Sequence, residues 1–152
     1  MTTLAPTPDV VHIGQDELPW VDIGLGSMMR VAQVIESEGI WVVENIFQAG
    51  YPVPRHRHTG QIWAFTSSGA WKYKEYDFVN TAGSFLYEPA NSVHTLDPLE
   101  NDTRVWFRMT GANLDLDADD NVIGVTDGRS ALTAYLALAE MQGKPTPNVH
   151  IG

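Results

Sequence analysis

Gly50-Tyr51-Pro52-Val53-Pro54-Arg55-His56-Arg57-His58, followed after a gap by Gly83 and then Pro89-Ala90-Asn91-Ser92-Val93-His94, is the stretch on which the reading of this chain turns. On a strand, successive residues rise about 3.3 Å and alternate faces, so His56 and His58 point the same way with their roots roughly 7 Å apart. Two imidazoles placed like this can close on one divalent ion at about 2.0–2.1 Å each, and His94, arriving from a distant strand, completes a triangular face. The opposite face of the ion stays open. A His-x-His pair alone is equally at home on an ordinary surface, and the frame around it is what makes it a site.

That frame is a set of glycines and a proline. Gly50 stands six residues before His56, Gly69 eleven after His58, and Gly83 six before Pro89, which precedes His94 by five. The spacing resembles the two-part cupin signature, G-x5-H-x-H-x3-E-x6-G and later G-x5-P-x-G-x2-H. Two positions depart from it. Asn91 replaces the glycine after the proline, a mild change because Asn tolerates left-handed backbone. Ile62 sits where the pattern wants glutamate, and that change is not mild. It leaves three neutral imidazoles, so the ion keeps its full charge and favours an anionic substrate. On a six-coordinate ion three facial histidines leave three adjacent positions, room for a chelating substrate and dioxygen.

The run His56-Arg57-His58-Thr59-Gly60-Gln61, then Trp63-Ala64-Phe65-Thr66, Gly69, Trp71-Lys72-Tyr73, Glu88-Pro89 and Ser92-Val93-His94-Thr95-Leu96, is similar to the 2,4'-dihydroxyacetophenone dioxygenase family of cupins. Asp16-Glu17-Leu18-Pro19-Trp20 and Thr110-Gly111-Ala112-Asn113 extend the likeness to roughly residues 16 to 125. The resemblance implies a non-haem Fe(II) held by His56, His58 and His94 that uses dioxygen to break a carbon–carbon bond beside a carbonyl, as acetylacetone-cleaving cupins also do. Ligand type alone does not choose iron, since three histidines also hold zinc, and nickel is a further alternative. Relatives that serve as zinc-binding sensor domains keep a regulatory reading open.

Composition bounds the rest. A chain of 152 residues reads as one domain, able to bury about 68–70% of its unfolded surface. There are no cysteines, hence neither disulfides nor a thiolate site. Nineteen acidic against nine basic residues give a net charge of −10, which argues against nucleic acid and anionic membranes. No basic-then-apolar leader opens the chain and no run of eighteen apolar residues occurs, so a cytoplasmic location is expected.

Residues 1–15 are polar and proline-containing and read as an N-terminal arm; 16–152 read as the folded domain. Met28 to Ile35, Ile40 to Phe47, Ile62 to Thr66, Trp71 to Phe78, Ser84 to Tyr87, Ser92 to Leu96 and Thr103 to Thr110 have the β-branched and aromatic character of strands. Leu114 to Asp117 and Val122 to Val125 flank Ala118-Asp119-Asp120-Asn121 as one more hairpin. Ser130 to Gln142, rich in Ala, Leu, Met and Glu, capped by Asp127 or Ser130 and stopped at Gly143, is the one substantial helix. The expectation is an all-β single-domain cupin, a double-stranded β-helix or jelly-roll barrel with one C-terminal helix.

Further residues carry functional readings. Trp63, Trp71, Tyr73 and Tyr76 can line an aromatic pocket for an aryl ketone or simply fill the barrel. A parity shift between Trp71-Tyr73 and Tyr76-Phe78 suggests a bulge near Lys74 or Glu75. Glu75 and Glu88 are the carboxylates nearest the ligand strands, each a candidate to orient a histidine or act as base, or else a solvated strand end. Gln61 reaches the metal only if the strand is irregular there, while Ile62 would make that wall apolar. Arg104 and Arg108 share a face with Trp106 and can meet a substrate oxygen or pair with acids. His12 and His150 read as surface residues.

The function expected is an Fe(II) dioxygenase acting on an aryl hydroxyketone or diketone. The rivals are a zinc- or ligand-sensing domain and a zinc- or nickel-dependent isomerase or lyase. A homo-oligomer, dimer or tetramer, is also expected, with Met28 to Ile35 and the helix from Ser130 as interface candidates.

Overall fold

The computed structural model describes residues 1–3 and 8–152; residues 4–7, part of the expected N-terminal arm, lie outside the described residues. In chain order the strands are β1 Val21–Gly24, β2 Ser27–Ile35, β3 Ile40–Phe47, β4 His56–His58, β5 Ile62–Ser68, β6 Ala70–Tyr73 and β7 Asn80–Thr81. They continue with β8 Phe85–Glu88, β9 Val93–His94, β10 Leu96–Pro98, β11 Thr103–Thr110, β12 Asn113–Leu116 and β13 Val122–Thr126. Helix α1, Gly128–Met141, and β14 His150–Ile151 close the chain.

Three sheets result. The largest runs β1-β2-β3-β11-β5-β8, with β14 added beside β2; the others run β10-β6-β7 and β13-β12-β4-β9. The spine of the largest is the antiparallel pair β3 and β11, in register from Ile40 opposite Thr110 to Phe47 opposite Thr103. Period-2 alternation puts Trp41, Val43 and Phe47 of β3 and Val105, Phe107 and Met109 of β11 on the inward face, where they meet Ile62, Trp71 and Tyr73 in one core. On the other face, Arg30 and Glu44 are buried under residues 15–20. Arg30 lies 3.3 Å from Glu44 and donates to the Gln15 and Leu18 carbonyls, with Trp20 over its guanidinium.

The helix begins where its cap predicts. Asp127 accepts from the Ser130 amide at 2.8 Å while the Asp127 amide donates to Ser130 Oγ at 2.9 Å, an arrangement that satisfies end groups the helix leaves open. Ala131, Tyr135 and Ala139 form its buried stripe, and Tyr135 donates to the Pro19 carbonyl. Gly69, the last glycine of the first motif, sits at φ +75° in the turn from β5 to β6, where a Cβ would stand 2.3 Å from Thr103 Oγ1. Only glycine meets both demands.

Several sequence expectations change. The strand expected over Trp71 to Phe78 ends at Tyr73, because Lys74 and Glu75 form a turn rather than a bulge. Ser92 to Leu96 divides between β9 and β10. His150, read as a surface residue, lies in β14, half-buried and 2.8 Å from Gln33 Nε2 through its Nδ1. Strand β2, an interface candidate, lies inside the sheet and beneath α1, with Val34 only 3% exposed.

Candidate metal centre

His56 and His58 share the inward face of β4, as the alternation requires, and both are buried. His94 on β9 pairs directly with His56 across the ladder. The turn that delivers it is fastened to β4 by its backbone: the Asn91 amide donates to the His58 carbonyl at 2.7 Å, and the His58 amide to the Ser92 carbonyl. Asn91 has φ +70°, the left-handed backbone that the cupin pattern assigns to glycine. Each histidine offers one ring nitrogen, and these nitrogens all lie within 4.8 Å of one another.

The tautomers suit a cation. His56 Nδ1 is 2.7 Å from the Pro54 carbonyl, so it carries the proton and leaves a lone pair on Nε2. That Nε2 lies 3.1 Å from His58 Nε2. Two nitrogens each about 2.0–2.1 Å from one ion stand about 2.9–3.4 Å apart, so the pair is spaced for a shared metal. His94 Nε2 is buried with no hydrogen-bond partner. Opposite His58 on β12, Asn113 leaves its Oδ1 equally unpartnered, as is His58 Nδ1.

A carboxylate stands beside them. Glu88 Oε2 is 3.3 Å from His58 Nε2, and Glu88 Oε1 is 3.4 Å from His94 Nε2. Tyr73 donates its hydroxyl to Oε1 and stacks its ring on His94, centroids 3.8 Å apart. Oε2 has no hydrogen-bond partner. Burial pushes the Glu88 carboxyl up to about 8. It pushes His58 down to about 2, with His56 and His94 acting in the same direction, and His94 down to about 3; His56 is lowered too. Without a cation the cluster is therefore neutral at pH 7, and the contacts to Glu88 are not ion pairs. Three imidazole lone pairs fit a divalent metal, whose charge would favour loss of the Glu88 proton beside it.

The centre opens onto a cavity of about 450 Å³. Its walls are apolar and aromatic, with Trp41, Phe47, Tyr73, Phe107 and Met109 prominent, and α1 and β13 close one side. Among the aromatics singled out in the sequence, Tyr73 alone lines it. Trp71 is fully buried behind Tyr73, with its indole N–H donated to Thr66 Oγ1. Trp63 lies on the outer sheet face, with Arg108 stacked over it at 4.7 Å and Tyr87 beside it. Tyr76 is exposed.

Other candidates also stand away from the cavity. Gln61 bonds outward to Tyr87, because its parity is opposite to Ile62. Glu75 is held by the Thr95 amide and hydroxyl, both at 2.8 Å. Arg104 pairs with Glu44 at 2.5 Å. Ile62 is 1% exposed and packed in the core. Trp41, Phe47, Phe107 and Met109 are cavity residues that no motif in the sequence marks, although the alternation of their two strands places them on one face. No local pattern announced the part played by α1.

Among known proteins, the sequence profile of a family described as ChrR Cupin-like domain matches residues 8–113. An RmlC-like cupin from Ralstonia eutropha JMP134 superposes with a TM-score of 0.84 at 27% identity, covering 93% of this chain and 94% of the other. A protein with a cupin-like fold from the same organism gives 0.87 at 24% identity over 98% and 96%. An acetylacetone dioxygenase from Acinetobacter johnsonii gives 0.75 at 16% identity over 91% and 97%, a likeness of fold. No curated protein sequence matches. The expected cupin-like fold, mostly β with one helix, is thus present. Among the described residues no helix is long and apolar enough to cross a membrane.

Proposed function

The chain belongs to the ChrR cupin-like domain family; from its converging histidines and the resemblance of its motifs to the 2,4'-dihydroxyacetophenone dioxygenase family, we propose that it is a metal-dependent dioxygenase cleaving a carbon–carbon bond beside a carbonyl. Fe(II) is the ion proposed, and an aryl hydroxyketone or diketone the substrate. One observation carries the reading: three buried ring nitrogens lie within 4.8 Å of one another, and two of their histidines, His56 and His58, line a cavity whose lining includes no Asp, Glu, Lys or Arg. A fixed trio of neutral ligands beside an apolar chamber suits a chelating ketone. The fold shared with an acetylacetone dioxygenase is in keeping with this.

When bound, the ion supplies Lewis acidity toward a carbonyl oxygen and the redox chemistry that dioxygen needs. His56, His58 and His94 would hold it. Glu88 Oε2 takes the proton from the enolisable carbon, while Tyr73 fixes the other oxygen so that the carboxyl cannot turn away. The apolar wall excludes water from the resulting enolate. The balance is simple: a hydroxyketone R–CO–CH2OH plus O2 gives R–COOH and HCOOH, and a diketone plus O2 gives an acid and a ketoaldehyde.

The test is metal analysis of protein purified without added metal, followed by oxygen-electrode assays over aryl hydroxyketones and diketones. Stoichiometric iron, with one O2 consumed per acid released, is expected. Stoichiometric zinc with no oxygen uptake, even after iron reconstitution, would replace the proposal with a zinc-binding regulatory domain.

A further inference from the structure

The cavity has a deep end and a mouth, and its lining residues separate them. His56, His58, Trp41, Phe107 and Met109 are buried, whereas the exposed lining residues are Val125, Ser130 and Ala134. All three belong to β13 or the first two turns of α1. Helix positions three apart lie on one face, so Ala131 and Ala134 both turn toward the chamber, and their small side chains leave the passage open. In a chain with nineteen acidic residues, the lining carries no formal charge.

We propose that ligands enter between β13 and α1 and come to rest with their oxygens at the histidines and an uncharged aryl tail against Ala131 and Ala134. Charged tails are excluded. An ionised group placed there meets no opposite charge in the lining and gives up part of its water against the buried Ala131, a cost that an uncharged tail avoids. An aromatic tail finds the faces and edges of Trp41, Phe47 and Phe107. The orientation rests on the metal reading above; the entry route and the charge rule do not.

Anaerobic titration calorimetry tests this with 2-hydroxy-1-phenylethanone and its ring 4-carboxylate, on zinc-loaded and metal-free protein. The uncharged ketone should bind at least tenfold more tightly than the carboxylate. Ala134→Phe, on an exposed position, should weaken binding at least tenfold with metal content and melting temperature unchanged, and Val125→Trp should act likewise. Leu136→Phe, on the same helix outside the lining, should leave binding as it is. Equal binding of both probes, no binding of the ketone to either form, or silent mouth variants would each overturn the proposal. A chain that holds no metal yet binds the ketone with the same Ala134 sensitivity would sink the metal reading and leave the chamber standing.

Discussion

Ile62 on β5 and Glu88 on β8 stand directly opposite each other in the antiparallel ladder, with Glu88 turned onto His58 and His94. The carboxylate that the cupin pattern expects at position 62 is thus present one strand over, and the residue facing it is apolar. Directly opposed Cβ atoms are about 4.5–5.5 Å apart, so the two positions reach the same volume. Position 88 differs in one respect: Tyr73 already holds one of its oxygens.

If Glu88 is the proton acceptor, Glu88→Gln keeps the shape and the Tyr73 contact but removes the base. Turnover should fall about 10²–10⁴-fold, while metal affinity changes by no more than about 10–100-fold. A variant that lost its metal outright would make Glu88 a ligand instead, and one with full turnover would remove it from the chemistry. Tyr73→Phe should show a smaller loss of the same kind.

Ile62→Glu brings a second carboxylate against Glu88. Metal should be held at least as tightly, because the added charge attracts it, while oxygen-dependent cleavage falls sharply as the open coordination position fills. Without metal, two opposed buried carboxyls should lower the melting temperature. Full activity in this variant would mean that position 62 does not reach the centre.

Replacing His56, His58 or His94 by alanine should each remove most bound metal, measured by elemental analysis after dialysis. His12→Ala and His150→Ala should not. His12 is exposed, and His150 bonds Gln33 at the far edge of β2, so its loss costs stability alone, about 0.5–1.5 kcal/mol. Stoichiometric metal in the His94 variant would defeat the ligand assignment.

The metal-free protein should be most stable close to pH 6.5. His58 and His94 are depressed from 6.5 to about 2 and about 3, so the unfolded chain binds more protons between those values; their contribution is full above 6.5 and is lost as pH falls. Glu88 has the opposite sign: raised from 4.5 to about 8, its contribution is full below 4.5 and is lost as pH rises through 8. From 4.5 to 6.5 the two histidines outweigh the one carboxyl; above that the carboxyl acts alone. Saturating zinc should raise the melting temperature most on the alkaline side, where Glu88 would otherwise be ionised with no positive charge beside it. A metal-free melting temperature still climbing at pH 9 would contradict this.

The barrel and the ligand trio were legible because both are written locally. Alternation in Ile40–Phe47 and Thr103–Thr110 gives those strands to the residue, and glycine and proline spacing frames the histidines. What escaped depends on register between distant segments. Nothing near Glu88 reveals that β8 lies beside β5 with the carboxyl opposite Ile62, or that β6 brings Tyr73 to it. Trp63 and Trp71 could not be told from pocket residues, because aromatic character shows neither which face is inward nor whether an inward ring fills the core, as Trp71 does. The cavity wall from α1 was invisible for the same reason: Ala131 and Ala134 have no signal until the helix is seen across the mouth.

Val34 and Leu136, which lie in the two segments expected at an interface, Met28 to Ile35 and the helix from Ser130, should part company. Val34 lies inside the largest sheet, 3% exposed, with Gly128 of α1 packed so closely that a Cβ there would sit 3.1 Å from Val34 Cγ1. Val34→Asp buries an unpaired charge under the helix and should cost more than about 3 kcal/mol, a large share of the roughly 5–15 kcal/mol that holds an ordinary domain folded. Leu136 is 38% exposed on the outer side of α1, so Leu136→Asp should change the monomer's stability by no more than about 0.5 kcal/mol. Light scattering then reads assembly separately from folding. The wild-type mass is expected at two or four times 16.8 kDa. If Leu136→Asp remains folded and falls to a single chain's mass, the outer face of α1 holds the copies together; if its mass is unchanged, that face is excluded as the interface. A Val34→Asp protein that folds normally would show that the packing of α1 on β2 is not what buries this residue.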